Sequence, residues 1–373
     1  MAGRKTCGSG AVPEGFRAPP PVRGRGTGSN PQGRFERLQR DAEDDGWTGA
    51  DAAVPAPGTT VTGERARSIV TRNRSPDLPF SQSVNAYRGC EHGCIYCYAR
   101  ATHPYLGLSA GLDFERRLFA KDNAAELLRE ELSRPGYRCQ PIALGTNTDP
   151  YQPVERHRRI TRALLEVLDG CSHPCMIVTK SALVERDLDV LSRMAARRLV
   201  KVFVSVTTLD RTLARCMEPR AAAPQRRLAT LAALAAAGIR TGVLVAPVIP
   251  GLNDAEIERI LESARKAGCH EAGFGLLRLP HEVRGLFEEW LAAHYPLRSG
   301  HVLSLLRQVR AGREDDARFD TRMRGEGVLA ALLERRFEAA CRRLNLSTRD
   351  ADLDAGSFRP PQTGQLPLWQ DGC

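Results

Sequence analysis

The sequence predicts an α/β chain built on a parallel sheet, and three observations carry that expectation. Short β-branched or apolar runs begin at Pro141 (PIALG), Cys175 (CMIVTK), Lys201 (KVFVSV), Arg240 (RTGVLVAP) and Ala272 (AGFGLL), at spacings of 34, 26, 39 and 32 residues. Amphipathic stretches lie between them, such as Ile257, Ile260, Leu261 and Ala264 on one helical face. Polar clusters follow the runs: GTNTDPYQP from Gly145, TKS from Thr179, SVTTLD from Ser205 and PVIPGLND from Pro247. Strands alternating with helices at this interval form right-handed βα units. A further strand over Ser83–Tyr87 makes six units, which close partly into a barrel or open into a doubly wound sheet.

Along the chain, residues 1–62 are rich in Gly, Pro, Arg and Ala without hydrophobic periodicity. Their first forty residues carry eight basic and two acidic side chains, and DAEDDGWTGAD then turns acidic. A disordered polyampholytic tail is expected there. The βα core spans 75–280. Beyond Leu279 the pattern turns helical over Val283–His294, His301–Arg310 and Val328–Asn345, giving a C-terminal extension over 281–346. Residues 347–373 read as a flexible tail.

Composition narrows the classes. No run of 18 apolar residues occurs, and the first twenty residues lack the apolar middle of a secretory signal, so a soluble cytoplasmic protein with no membrane partner is expected. Eleven cysteines at irregular spacing do not form a disulfide framework. The net charge of +10 invites a nucleic-acid reading, yet only five of 54 basic residues are lysine and arginine is spread throughout, as coding composition alone would give. No GxGxxG opens a helix after any strand, which weakens a dinucleotide-binding reading.

The most specific feature is SVNAYRGCEHGCIYCYAR, which spaces Cys90, Cys94 and Cys97 as CxxxCxxC. Structural zinc takes four protein ligands. The nearest candidates for a fourth are His92 and His103, and no matching CxxC or HxxxH pair follows. Iron–sulfur clusters take cysteine thiolates, and three cysteines on a four-iron cubane leave one iron open to a reactant.

At these residues the chain resembles the radical S-adenosylmethionine superfamily, whose CxxxCxxC follows the first strand of a partial (β/α)6 TIM-type barrel, often with an aromatic residue before the third cysteine, here Tyr96. The resemblance covers about 80–280. It implies a 4Fe-4S cluster on Cys90, Cys94 and Cys97 and S-adenosylmethionine chelated at the open iron. One electron, from a flavodoxin- or ferredoxin-type donor, then releases a 5′-deoxyadenosyl radical that abstracts hydrogen from the substrate. It also implies cofactor contacts at the strand ends: Thr148 and Asp149 for the amino group, Lys180 for the carboxylate, and Ser205 and Thr207 for the ribose.

Within the superfamily, the Tyr96-Cys97-Tyr98 triplet, TDP at 148–150, Lys180 and Ser205 are similar to the spore photoproduct lyase group, which reverses a thymine-dimer lesion. This implies a DNA substrate and makes Tyr98 a candidate catalytic residue in radical relay. Thr146 stands where that group has its hydrogen-donating cysteine. Cys139 precedes the strand, at the opposite end of the barrel. Cys171 and Cys175 form a second CxxxC that reads as buried strand cysteine. Two alternatives remain open: radical chemistry on a small molecule, peptide or RNA base, and a zinc-stabilised nucleic-acid-binding protein without catalysis.

Near the end, Gln365, Leu366, Leu368 and Trp369 in QLPLW form an apolar island in a polar tail. It resembles the bacterial sliding-clamp-binding pentapeptide, with Trp369 in place of the usual phenylalanine, and implies a clamp partner.

Overall fold

Ten strands organise the described residues: β1 (Thr60–Glu64), β2 (Val70–Arg72), β3 (Gln82–Val84), β4 (Tyr87–Arg88), β5 (Arg117–Lys121), β6 (Ile142–Leu144), β7 (Cys175–Thr179), β8 (Val200–Ser205), β9 (Arg240–Val248) and β10 (Glu271–Leu276). They are seen in a computed structural model, which describes residues 22, 24–36, 58–313, 318–348 and 353–361. The main sheet runs β2-β3-β6-β7-β8-β9-β10. Every neighbouring pair from β3 to β10 is parallel, and β2 is the antiparallel edge. The order follows the sequence without the reversal that defines a doubly wound sheet. The architecture is a partial (β/α)6 barrel. Its register pairs Val84 with Leu144, Leu144 with Ile177, Thr179 with Val204 and Ser205 with Leu244, so the strands end on a common rim.

Alternation along each strand separates two layers. Ile142, Leu144, Ile177, Val202, Val204, Val243 and Val245 pack outward into the principal core. Leu164, Leu168, Leu191, Met194, Leu231 and Leu234 meet them from the covering helices, as do Ile257, Ile260, Leu261 and Ala264 on the face read from the sequence. Each such aliphatic side chain contributes about 1.5–3 kcal/mol by leaving water. On the other face Ala143, Met176 and Phe203 form a separate cluster with Phe80, Val178 and Leu244.

The strand expected over Ser83–Tyr87 breaks in two. Asn85 causes the break: its Oδ1 accepts from the Asn147 and Thr148 amides at 2.9 and 3.4 Å, and its carbonyl accepts from Lys121 Nζ at 2.9 Å. The chain leaves the main sheet there, and β4 joins a second sheet in the order β1-β5-β4. The expected tail over 1–62 also differs. Residues 24–36 lie packed against the barrel with Thr27 buried, and Thr60–Thr62 belong to β1.

After β10 come helices over Glu282–His294, Pro296–Gln308 and Gly327–Leu344. The short helix Phe319–Arg322 reaches across the open side of the barrel. Its Arg322 donates to both carboxylate oxygens of Asp77, in the β2–β3 loop, at 2.5 and 2.6 Å. Part of the expected C-terminal tail docks as well. The amides of Asp354 and Arg359 donate to the carbonyls of Arg198 and Cys171 at 3.0 and 2.9 Å, beneath the barrel, and Phe358 packs on Tyr137 and His173. Residues 365–369 lie outside the described residues. Many arginines are held in ion pairs, as in Arg162–Asp189, Arg226–Glu185 and Arg336–Glu258. Among the described residues no helix is long and apolar enough to cross a membrane.

Candidate active site

The three-cysteine segment forms an irregular loop between β4 and the 3-10 helix Tyr98–Leu106. Cys90 and Cys94 are buried, Cys97 is half-buried, and all three are free thiols. The loop is pinned by Cys90 N donating to Phe114 O (2.9 Å), Ile95 N to Met217 O (3.0 Å) and Cys97 N to Cys94 O (3.2 Å). Burial, joined by the charge of Asp149, pushes the Cys90 thiol well up. Burial also pushes the Cys94 thiol up to about 12, against the opposing charge of Lys180. Thiols held this way stay protonated until a metal displaces the proton.

Opposite the loop, the Asp149 carboxylate ties three segments together. Oδ1 accepts from Thr179 Oγ1 (2.7 Å) and Tyr151 N (2.9 Å), Oδ2 accepts from Lys180 N (2.7 Å), and His92 Nδ1 lies 3.3 Å from Oδ2. Burial alone would raise its pKa, but His92 and these donors outweigh burial and hold the carboxyl at about 2. The Thr148 hydroxyl donates to Tyr87 O at 3.2 Å and keeps its lone pairs.

The Lys180 ammonium lies over the Tyr96 ring, 5.8 Å from its centroid, with no carboxylate within 4.0 Å among the described residues. Ser205 is buried at the end of β8, and its hydroxyl makes no hydrogen bond among the described residues. Thr207, expected at the ribose, donates its hydroxyl to Glu218 at 2.8 Å. Tyr96 also donates to Glu218, whose other oxygen receives Arg227. Arg227 in turn donates to Ser205 O at 3.0 Å.

Tyr98 and Thr146 meet at the mouth. The half-exposed Tyr98 donates its hydroxyl to Thr146 O, and Asn85 Nδ2 donates to Thr146 Oγ1 at 3.3 Å. Cys139 lies before β6, away from this rim, and Cys171 and Cys175 are buried at the start of β7.

Residues 84–264 match the family model described as the Radical SAM superfamily, a span that begins in β3 and contains the thiol loop and the β6 to β9 strand ends. These residues form a radical SAM domain. It is 41% identical over 221 residues to an uncharacterised protein of Mycobacterium tuberculosis, covering 59% of this chain and 65% of that one. It is 27% identical over 173 residues to an uncharacterised protein of Methanocaldococcus jannaschii, covering 46% and 62%. The chain thus spans just under two thirds of the length of these relatives. A mutant spore photoproduct lyase with bound AdoMet and dinucleoside spore photoproduct shares the fold, with a TM-score of 0.51 at 15% identity over 76% of this chain and 79% of that one.

A radical SAM domain implies S-adenosylmethionine and an iron–sulfur cluster, and the residues present fit both. Three thiols come from one loop, yet among the described residues no three metal-ligating side chains converge on a single ion position. Cysteine thiolates are the usual ligands of iron–sulfur clusters. Of the two histidines expected as a fourth zinc ligand, His92 faces Asp149 through Nδ1 and His103 Nε2 contacts Arg117 O at 3.2 Å.

The sequence reading missed Glu218 and Arg227. They sit in no motif, and only the fold brings them beneath Tyr96. It also missed Arg100 and Glu115, which form a buried ion pair at 2.5 Å behind the thiol loop. Arg100 follows Cys97 by three residues, the one sequence signal that pointed to it.

Proposed function

We propose that this radical SAM enzyme holds a 4Fe-4S cluster on Cys90, Cys94 and Cys97 and acts on a nucleic-acid base, as a relative of spore photoproduct lyase. The observation that carries the reading is the single rim on which the thiol loop, the Lys180 ammonium and the Ser205 hydroxyl face one another. Lys180 supplies a cation for the methionine carboxylate, within electrostatic reach of Cys94. Thr148 offers lone pairs to the amino group. Asp149 contributes negative charge while fixing the loop that carries Thr148. Ser205 suits a ribose hydroxyl, whereas Tyr96 and Thr207 brace the rim through Glu218. When bound and reduced, the cofactors supply a 5′-deoxyadenosyl radical for hydrogen abstraction. Tyr98, at the mouth beside Thr146, is placed to relay hydrogen to or from the substrate.

Thr146 favours a base substrate other than the thymine-dimer lesion, because a hydroxyl is a poor hydrogen-atom donor. A flavodoxin- or ferredoxin-type protein serves as electron donor. Gln365, Leu366, Leu368 and Trp369 recruit a sliding clamp, so deleting the last ten residues removes clamp affinity.

Anaerobic reconstitution tests the chemistry. The expected result is about four irons and four sulfides per chain, with 5′-deoxyadenosine released on reduction with S-adenosylmethionine, and both lost in Cys94→Ala. Stoichiometric zinc without release overturns the proposal. Ultraviolet-damaged DNA and RNA that neither bind nor change would remove the nucleic-acid part.

A further inference from the structure

Residues 25–29 lie across the outer face of the thiol loop, in a segment whose composition reads as linker. The Gly26 and Thr27 amides donate to Glu115 Oε2 and Oε1 at 2.9 and 3.2 Å. Arg25 Nη1 donates to Glu115 O at 2.9 Å, and Ser29 O accepts from Leu112 N at 3.0 Å. Contact with the loop is intimate. A Cβ on Gly26 would collide with the Gly93 carbonyl oxygen, and one on Gly93, at a φ of 67°, would lie 2.8 Å from Glu115 Oε2. Only glycine suits either position.

Behind this contact, Arg100 is fully buried and holds the loop by its backbone. Its Nε donates to Cys94 O (2.9 Å), Nη1 to Ala110 O and Gly111 O (3.1 and 3.0 Å), and Nη2 to Gly93 O (3.1 Å) and Glu115 Oε1 (2.5 Å). All five guanidinium protons are thus placed, two of them on the peptide that carries the second cysteine. Glu115 completes the chain of contacts by neutralising Arg100 and accepting from the strap. Further along, Ser29 Oγ donates to Glu289 (2.7 Å) and Arg34 to both oxygens of Glu282 (3.0 and 2.7 Å), fastening the segment to the helix Glu282–His294.

We propose that residues 25–34, through Glu115 and Arg100, form a strap that positions the three-cysteine loop and shields its outer face, so that retention of the cluster depends on the N-terminal segment. Resting on the reading above, this makes Gly26, Arg100 and Glu115 positioning residues for the cluster ligands. Outer contacts of this kind change metal retention while leaving the ligands themselves untouched.

The test uses the full chain reconstituted anaerobically, reading iron and sulfide content, the decay of the cluster's visible absorption in air, and the circular dichroism and melting temperature of the cluster-free protein. Gly26→Val is expected to shorten the absorption half-life about tenfold or more with the cluster-free melting profile unchanged, which a role in barrel stability alone would not produce. If Gly26→Val fails to fold, Arg25→Ala/Arg34→Ala frees the strap from both ends without adding bulk and is expected to act in the same direction. A folded variant that keeps its cluster at the wild-type rate overturns the strap. Wild-type protein that takes up no cluster overturns the radical-enzyme reading instead, and the strap's role with it.

Discussion

Glu218 and Arg227 meet in full burial, with side-chain exposures of 0% and 2%, and their ion pair underlies the cofactor-facing rim. Burial alone would raise the Glu218 pKa, but Arg227 and Lys180 hold its carboxyl at about 2. Removing one partner of such a pair leaves an uncompensated charge in the interior. Glu218→Gln is therefore expected to cost about 3–5 kcal/mol of stability, measured by chemical denaturation of the cluster-free protein. The double variant Glu218→Gln/Arg227→Met should recover much of that loss, because no unpaired charge remains.

Lys180 presents the opposite case, a half-buried cation held in reserve. Burial alone would lower its pKa, but Cys94 and Glu218 outweigh that and raise it, so the ammonium stays charged. Lys180→Met should weaken S-adenosylmethionine binding to the cluster-loaded protein about 10- to 100-fold, the worth of one hydrogen bond to a charged group. Equilibrium dialysis reads this directly, and unchanged affinity would remove Lys180 from the site.

Acid should destabilise the barrel before its carboxylates titrate. Burial lowers His103 and His173 from 6.5 to about 4, so both are neutral when folded and both gain protons more readily when unfolded. Their contribution is complete above pH 6.5 and is lost as pH falls toward 4. At pH 5 the loss is about 2 kcal/mol for each. Asp149 and Glu218, lowered to about 2, keep their full contribution at pH 5 and lose it only as pH falls from about 4 toward 2. Melting temperatures between pH 7 and 5 should therefore fall, and His173→Gln should flatten that slope by roughly half.

The strand runs were legible because β-branched residues at Cys175–Thr179 or Val200–Ser205 declare a buried strand by composition alone. Ser83–Tyr87 misled, since alternation cannot show that Asn85 will spend its side chain on the amides of Asn147 and Thr148. The thiol loop was legible because its three cysteines fall within one short stretch, Cys90 to Cys97. Glu218 was not, because the cations and hydroxyls that give it meaning arrive from Tyr96, Thr207 and Arg227 only on folding. The strap was least legible: Gly26 reads as flexibility, whereas its missing side chain is what permits contact with Gly93.

The docked segment 353–361 works as a latch on the end of the barrel away from the cysteines. Ser133 Oγ donates to the Pro361 carbonyl there at 3.4 Å, and the amides of Asp354 and Arg359 hold the loops at Arg198 and Cys171, so this end is closed by the chain itself, far from the thiol loop.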